Sequence, residues 1–166
     1  MGAVPKGCNA LGMESPIRAE VRTVLAFGEG QASDNSLEAF SPPDPTNFGF
    51  NAQVFIGEAG GDLYDSFDVV VCSPSWFASQ VAQGNWDRFK RGLRDLPESI
   101  VVGSGFWFMR RWDATAFMDA LGRVCDTLSP GPDWGSVASR IGRLIPWEFD
   151  YKYDEAINRG ATRFPE

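Results

Sequence analysis

Two runs of alternating residues lie close together in the middle of this chain, and they constrain its fold more than any other feature. In residues 47–57, Phe48, Phe50, Ala52, Val54 and Ile56 fall on one side while Asn51 and Gln53 fall on the other. In residues 66–72, Phe67, Val69 and Val71 share a side. A period of two is the mark of a half-buried strand, and Phe and β-branched side chains suit its pleated surface. Residues 58–65 separate the runs and contain Gly60-Gly61, a turn signal. The pattern predicts an antiparallel hairpin whose loop, of about eight residues, is longer than the tight two-residue kind.

The flanking segments extend this unit. Residues 19–27 alternate loosely, with Val21, Thr23, Leu25 and Phe27 on one face, and predict a first strand. Residues 28–45, rich in Gly, Ser, Asp and Pro, predict a long loop. After the hairpin, Ser73 and Pro74 end the strand and open a helix, since proline suits the first helical turn. Trp76, Phe77, Gln80 and Val81 form its expected packing face. Trp86, Phe89 and Leu93 have helical spacing and Pro97 ends that run. Residues 99–109 predict a strand with Ile100, Val102, Phe106 and Phe108 on one face, and Gly103 and Gly105 point to a bulge or a close backbone approach.

Two helices follow. Asp113 is placed to cap one carrying Phe117, Ala120, Leu121, Val124 and Leu128 at steps of three and four. Asp133 is placed to cap the next, with Trp134, Val137, Ala138, Ile141, Leu144 and Ile145 as its stripe and Pro146 as its stop. Hairpin strands early and paired helices late predict an α+β fold, a mainly antiparallel sheet of about four strands with helices packed on one face. A length of 166 residues suits one domain. We expect a flexible N-terminal segment over 1–16, a single domain over 17–152 and a polar tail over 153–166.

Charge and composition narrow the function. The formal net charge is −7, and no Lys or Arg occurs anywhere in residues 23–87, which hold Glu29, Asp34, Glu38, Asp44, Glu58, Asp62, Asp65, Asp68 and Asp87. Arg88, Lys90, Arg91 and Arg94 then form a short basic cluster. A long stretch of one sign attracts basic partners and repels phosphate backbones, which argues against nucleic acid as the partner. The same acids also have an ordinary alternative role in keeping the protein soluble. Thirteen Phe, six Trp and three Tyr exceed what a core of this size needs, so some belong at a surface that meets a partner, a homodimer being one option.

Chemistry is sparse. The chain has no His, which removes triads and most neutral-pH general bases. Cys8, Cys72 and Cys125 are odd in number and widely spaced, so a structural zinc site of the usual ligands is not expected. Cys72 and Cys125 fall on apolar patterns and read as reduced core thiols, which implies a reducing compartment. No run is long enough to span a bilayer, and residues 1–12 lack the order of a secretory signal, so we expect a cytoplasmic protein with no membrane partner. Gly28-Glu29-Gly30 and Gly103-Ser104-Gly105 lack the third glycine, the lysine and the strand-to-helix setting of a phosphate loop. The carboxylates Glu148 with Asp150 and Glu58 with Asp62 leave a hydrolase as a minor alternative, because such a pair requires a defined separation across a cleft. No cofactor is expected.

Four segments together resemble a known family. They are Asn47-Phe48-Gly49-Phe50, Val54-Phe55-Ile56-Gly57, the run from Ser66-Phe67-Asp68-Val69-Val70-Val71-Cys72 through Ser73-Pro74-Ser75-Trp76-Phe77, and Trp147-Glu148-Phe149-Asp150-Tyr151. They are similar to the immunity protein 8 family of bacterial polymorphic toxin and contact-dependent inhibition systems, over residues 22–151. Phe77 stands where the family has Leu, the closing motif is one acid shorter, and residues 84–96 form a longer segment. The resemblance implies an immunity protein that binds the C-terminal effector domain of a cognate toxin in the cell that makes both, and is not an enzyme. The acidic stretch fits a basic effector domain. An acidic adaptor without a toxin partner is the alternative from another class.

Within this motif, Phe67, Val69 and Val71 are expected to bury a strand face, Asp68 to point the other way, Cys72 and Pro74 to lead into the helix, and Trp76 and Trp147 to pack against the sheet. For the partner surface the loop residues Glu58, Asp62, Tyr64 and Asp65 rank first, because acids supply charge and tyrosine is a frequent anchor. Glu148 and Asp150 rank second. Plain solvation is the alternative for each acid.

Overall fold

In a computed structural model of the chain, residues 16–84 and 105–149 are described. The elements run β1 (Ala19–Gly28), β2 (Gly49–Glu58), β3 (Tyr64–Cys72), α1 (Pro74–Ala82), β4 (Phe106–Phe108), α2 (Ala114–Leu128) and α3 (Trp134–Gly142). One four-stranded sheet has the order β1-β2-β3-β4. The first two pairings are antiparallel, and β4 lies parallel to β3 with Val70 opposite Phe106. The α+β fold expected from the alternation is the observed one. The expected helix over 84–96, its basic cluster, the first half of the strand expected over 99–109, Asp150 and both chain ends lie outside the described residues.

The two alternating runs set the sheet's inner face. Phe48, Phe50, Ala52, Val54 and Ile56 are buried, as are Phe67, Val69 and Val71. The helices α2 and α3 supply Phe117, Leu121 and Cys125, and Val137, Ala138 and Ile141, to the same core. Each large apolar side chain removed from water stabilises the fold by about 1.5–3 kcal/mol. Asp113 and Asp133 cap these helices by accepting from the Ala116 and Ser136 amides at 3.0 and 2.7 Å. Ser73 caps α1, and its hydroxyl also accepts from the Phe48 amide at 3.2 Å, which ties the helix start to β2.

Several expectations need correcting. The inner face of β1 is formed by Val24 and Ala26, while Leu25 and Phe27 lie on the other side and Thr23 is exposed. A bulge between Val21 and Thr23 is the cause, because one extra residue in a strand reverses which side chains point inward. The hairpin loop is shorter than expected, since β3 already begins at Tyr64, paired with Gly57, and Asp65 pairs with Ile56. The long loop expected over 28–45 is a loop, and it also buries Leu37 and Phe40, with Phe40 tilted against Phe50 at 4.2 Å and edge-on to Trp112 at 5.4 Å. Helix α3 stops at Gly142, which leaves Leu144 half exposed in the following turn while Ile145 is buried.

The outer edge of β3 is closed by two different segments. The Val70 amide donates to the Gly105 carbonyl and the Met109 amide to the Cys72 carbonyl, both at 2.9 Å. Farther up the strand, the Asp68 amide donates to Pro146 at 2.9 Å and the Glu148 amide to Ser66 at 3.0 Å. Nearly every backbone group along β3 thus has a partner, as a buried strand requires.

Candidate functional site

The side of the sheet opposite α2 and α3 is the candidate surface. Alternation places Leu25, Phe27, Asn51, Gln53, Phe55 and Val70 there. These residues come from β1, β2 and β3, within the stretch that carries no Lys or Arg. Among the described residues, α1 is the helix that meets this side. It has no fully buried residue, and it lays the Trp76 ring over Gly49. A β-carbon at Gly49 would come within 2.3 Å of that ring, so the close approach depends on glycine there.

At the α1 end the surface dips into a trough of about 500 Å³. Phe27, Trp76 and Phe106 give it aromatic walls, Asn51 and Gln80 supply amide groups, and Glu29 stands at its margin. Phe106 and Phe108 meet Phe77 edge-on at 5.1 and 5.3 Å. Pro42 and Pro43 close the trough from the loop that follows β1.

At the opposite end stands the β2–β3 hairpin tip. Glu58 and Asp62 are exposed, Leu63 is 87% exposed and Tyr64 55% exposed. Tyr64 leans edge-on against Phe55 at 5.5 Å, which links the tip to the open sheet side. Leu63 escaped the sequence reading because one apolar residue inside a turn gives no periodic signal. Arg22 braces the tip from β1: its guanidinium donates to the Glu58 carbonyl at 2.7 Å and to the Gly61 carbonyl, and pairs with Glu20. Its charge is spent on backbone oxygens and a neighbouring acid, and it holds the loop in one shape.

Two acids of the same group have partners inside the molecule. One oxygen of Asp65 accepts the indole N–H of Trp134 at 2.8 Å and that of Trp147 at 2.9 Å. Glu148 accepts the Ser66 amide on its carboxylate at 2.7 Å and returns its own amide to the Ser66 carbonyl. These contacts dock the segment after α3 onto β3, where Trp147 stacks with Phe67 at 6.3 Å. The tip and this docked segment are therefore neighbours along β3. Asp68 is exposed on the open side, as the alternation predicts.

Burial pushes the Cys72 thiol up to about 12, and burial with the nearby Asp126 charge pushes Cys125 to about 11, so both stay protonated at neutral pH. Among the described residues no group of three or more His, Cys, Asp or Glu is arranged to hold a metal ion. No helix among them is long and apolar enough to cross a membrane.

A four-stranded sheet with α2 and α3 on one side, and α1 beside partly exposed aromatic and polar side chains on the other, defines a small α+β protein. The family model described as Immunity protein 8 matches residues 28–151, three quarters of the chain, and the chain belongs to that family. No curated protein and no solved structure matches it.

Proposed function

We propose that this protein neutralises a cognate bacterial toxin by binding its effector domain in the cytoplasm, through the hairpin tip and the open side of the sheet. The observation that carries the reading is the joining of exposed apolar and acidic groups at one place: Leu63 and Tyr64 are exposed at the same hairpin tip as Glu58 and Asp62, in a stretch of sequence without a single Lys or Arg. Apolar anchors within a charged surround are the usual anatomy of a tight protein interface. A negative field also speeds the capture of a basic effector domain, which matters when the toxin must be held before it acts.

In this reading Glu58, Asp62 and Tyr64 touch the partner, joined by Leu63, with Asp150 as a second contact. Asp65 and Glu148 act from behind, holding β3 and the segment after α3 in register. Arg22 pre-organises the tip, which lowers the ordering cost of binding.

The test is a pull-down of the tagged chain from its native host, washed at low and then high salt, with bound proteins identified by mass spectrometry. Recovery of a stoichiometric C-terminal toxin fragment, released by salt, is the expected result. Its absence from cells shown to express that fragment would contradict the proposal.

A further inference from the structure

β1 is an edge strand of the sheet, and its outer edge is taken at both ends but open between them. The Ala19 amide donates to the Ser129 hydroxyl at 2.7 Å and the Ala26 amide to the Asn35 carbonyl at 2.8 Å. Strand alternation turns the Val21 and Val24 amides to the same edge, one on each side of the bulge, and neither has a partner there among the described residues. Beside this gap lies a groove of about 320 Å³ between β1 and the first turns of α2. Val24, Leu37 and Met118 make it apolar, and Glu38 and Asp119 stand exposed on it. Arg22 also lines it, but its guanidinium is engaged by Glu20 and by the Glu58 and Gly61 carbonyls. Glu38 and Asp119 have no ion pair among the described residues, so the unbalanced charge at the groove is negative. Every residue lining it lies seven or more positions along the chain from an undescribed one.

An open edge offers backbone pairing, an apolar floor takes a side chain, and unpaired carboxylates favour a cation. From these we propose that the groove is a strand-docking strip: it receives a short extended segment of the partner toxin, paired to the β1 edge at Val21 and Val24, with an aliphatic side chain on Met118 and a lysine or arginine at Glu38 and Asp119. The inference rests on the toxin-binding role proposed above and extends its surface from the hairpin tip round the edge of the sheet. Arg22 joins the two places, since it lines the groove and holds the tip. The bulge keeps the open edge short, so backbone pairing supplies few bonds and side chains set the specificity. An acidic segment would meet Glu38 and Asp119 with like charge. A second copy of this chain, docking edge to edge, would set the same acids against each other.

Two measurements test the strip separately from the wider reading. In the first, the intact 15N-labelled chain is titrated with a blocked peptide of alternating lysine and valine, five residues long, and with its glutamate counterpart. Saturable shifts centred on the Val21 and Val24 amides and on residues 115–119, seen with the basic peptide and weakened about threefold or more by Asp119→Asn, are expected. Equal shifts with both peptides, shifts scattered over the surface, or none at about 20 mM peptide overturn the strip, since even millimolar affinity saturates there. Val21 and Val24 amides that resist hydrogen exchange in the free chain as firmly as those of Ala19 and Ala26 also overturn it, because the chain itself or a second copy then covers the edge.

In the second, the cognate effector domain is titrated into the wild-type chain and into the Asp119→Lys and Asp126→Lys variants. Both positions are exposed on α2, about two turns apart, and the two substitutions change the net charge equally. Binding weakened about tenfold by Asp119→Lys, with Asp126→Lys within about twofold of wild type, supports the strip. Equal weakening by both reports the field of the whole molecule and overturns it. Unchanged affinity in both removes the strip and leaves toxin binding through the tip standing. A wild-type chain that takes the basic peptide but not the effector domain removes the toxin-binding role and leaves the strip as a site for basic strands.

Discussion

The carboxylate of Asp65 accepts the indole N–H of Trp134 at 2.8 Å, and the same oxygen takes Trp147 at 2.9 Å. One acid at the start of β3 thereby fastens both the first turn of α3 and the segment beyond it. Hydrogen bonds to a charged acceptor contribute about 1.5–3 kcal/mol, and stranded donors add to the loss when it is removed. Asp65→Ala is expected to cost about 2–4 kcal/mol in urea unfolding, and Asp65→Asn less, because an amide oxygen can still accept. A cost within 0.5 kcal/mol (roughly that of an ordinary surface substitution) would return Asp65 to the list of free surface acids.

Gly49 offers a steric test of the α1 end. A methyl group there meets the Trp76 ring at 2.3 Å, so Gly49→Ala must push the ring and α1 away from the sheet. The expected cost is about 1–3 kcal/mol, as for other overpacked sites, with a shifted tryptophan emission and a disturbed trough. Unchanged stability and emission would show that α1 does not rest on Gly49.

The cap of α3 sets a pH dependence. Asp133 is held below the ordinary carboxylate value of 3.8, first by the Ser136 amide and then by the Ser136 hydroxyl, both favouring the ionised form. A depressed carboxylate contributes stability above its unfolded value and loses it as pH falls through the folded one. Wild type is therefore expected to outlast Asp133→Asn in thermal melts at neutral pH, with the gap closing below pH of about 4. A gap that stays constant down to pH of about 2 would contradict this.

The buried thiols give a chemical prediction. With Cys8→Ser as background, Cys72 and Cys125 should not react with a disulfide reagent at pH 8 (about the ordinary thiol range) until the protein is unfolded, because burial keeps both protonated and out of reach. Fast reaction of either in the folded protein would reopen the question of cysteine chemistry.

What the sequence revealed, and what it hid, follows from the range of the interactions involved. The faces of β2 and β3 were legible because alternation is local and nearly perfect from Phe48 to Ile56. Ser73, Asp113 and Asp133 announced their helices because capping spans only three residues. The β1 bulge was not legible, since an extra residue shows only against its partner strand. The burial of Phe40 was not legible, because its partners Phe50 and Trp112 lie in other elements of the chain. The same holds at the site. Charge marked the acidic stretch, but nothing local separated Asp65 and Glu148, which have partners inside the fold, from Glu58 and Asp62, which face solvent.

The most direct measurement of the central claim is calorimetric titration of the cognate effector domain into the wild-type chain and a variant carrying Asp62→Ala, Leu63→Ala and Tyr64→Ala, at about 50 mM and about 300 mM salt. The account predicts tight binding by the wild type that weakens with salt, and a loss of about 100-fold, or about 2.7 kcal/mol, in the variant with its fold intact. Equal affinity for both proteins, insensitive to salt, would contradict it.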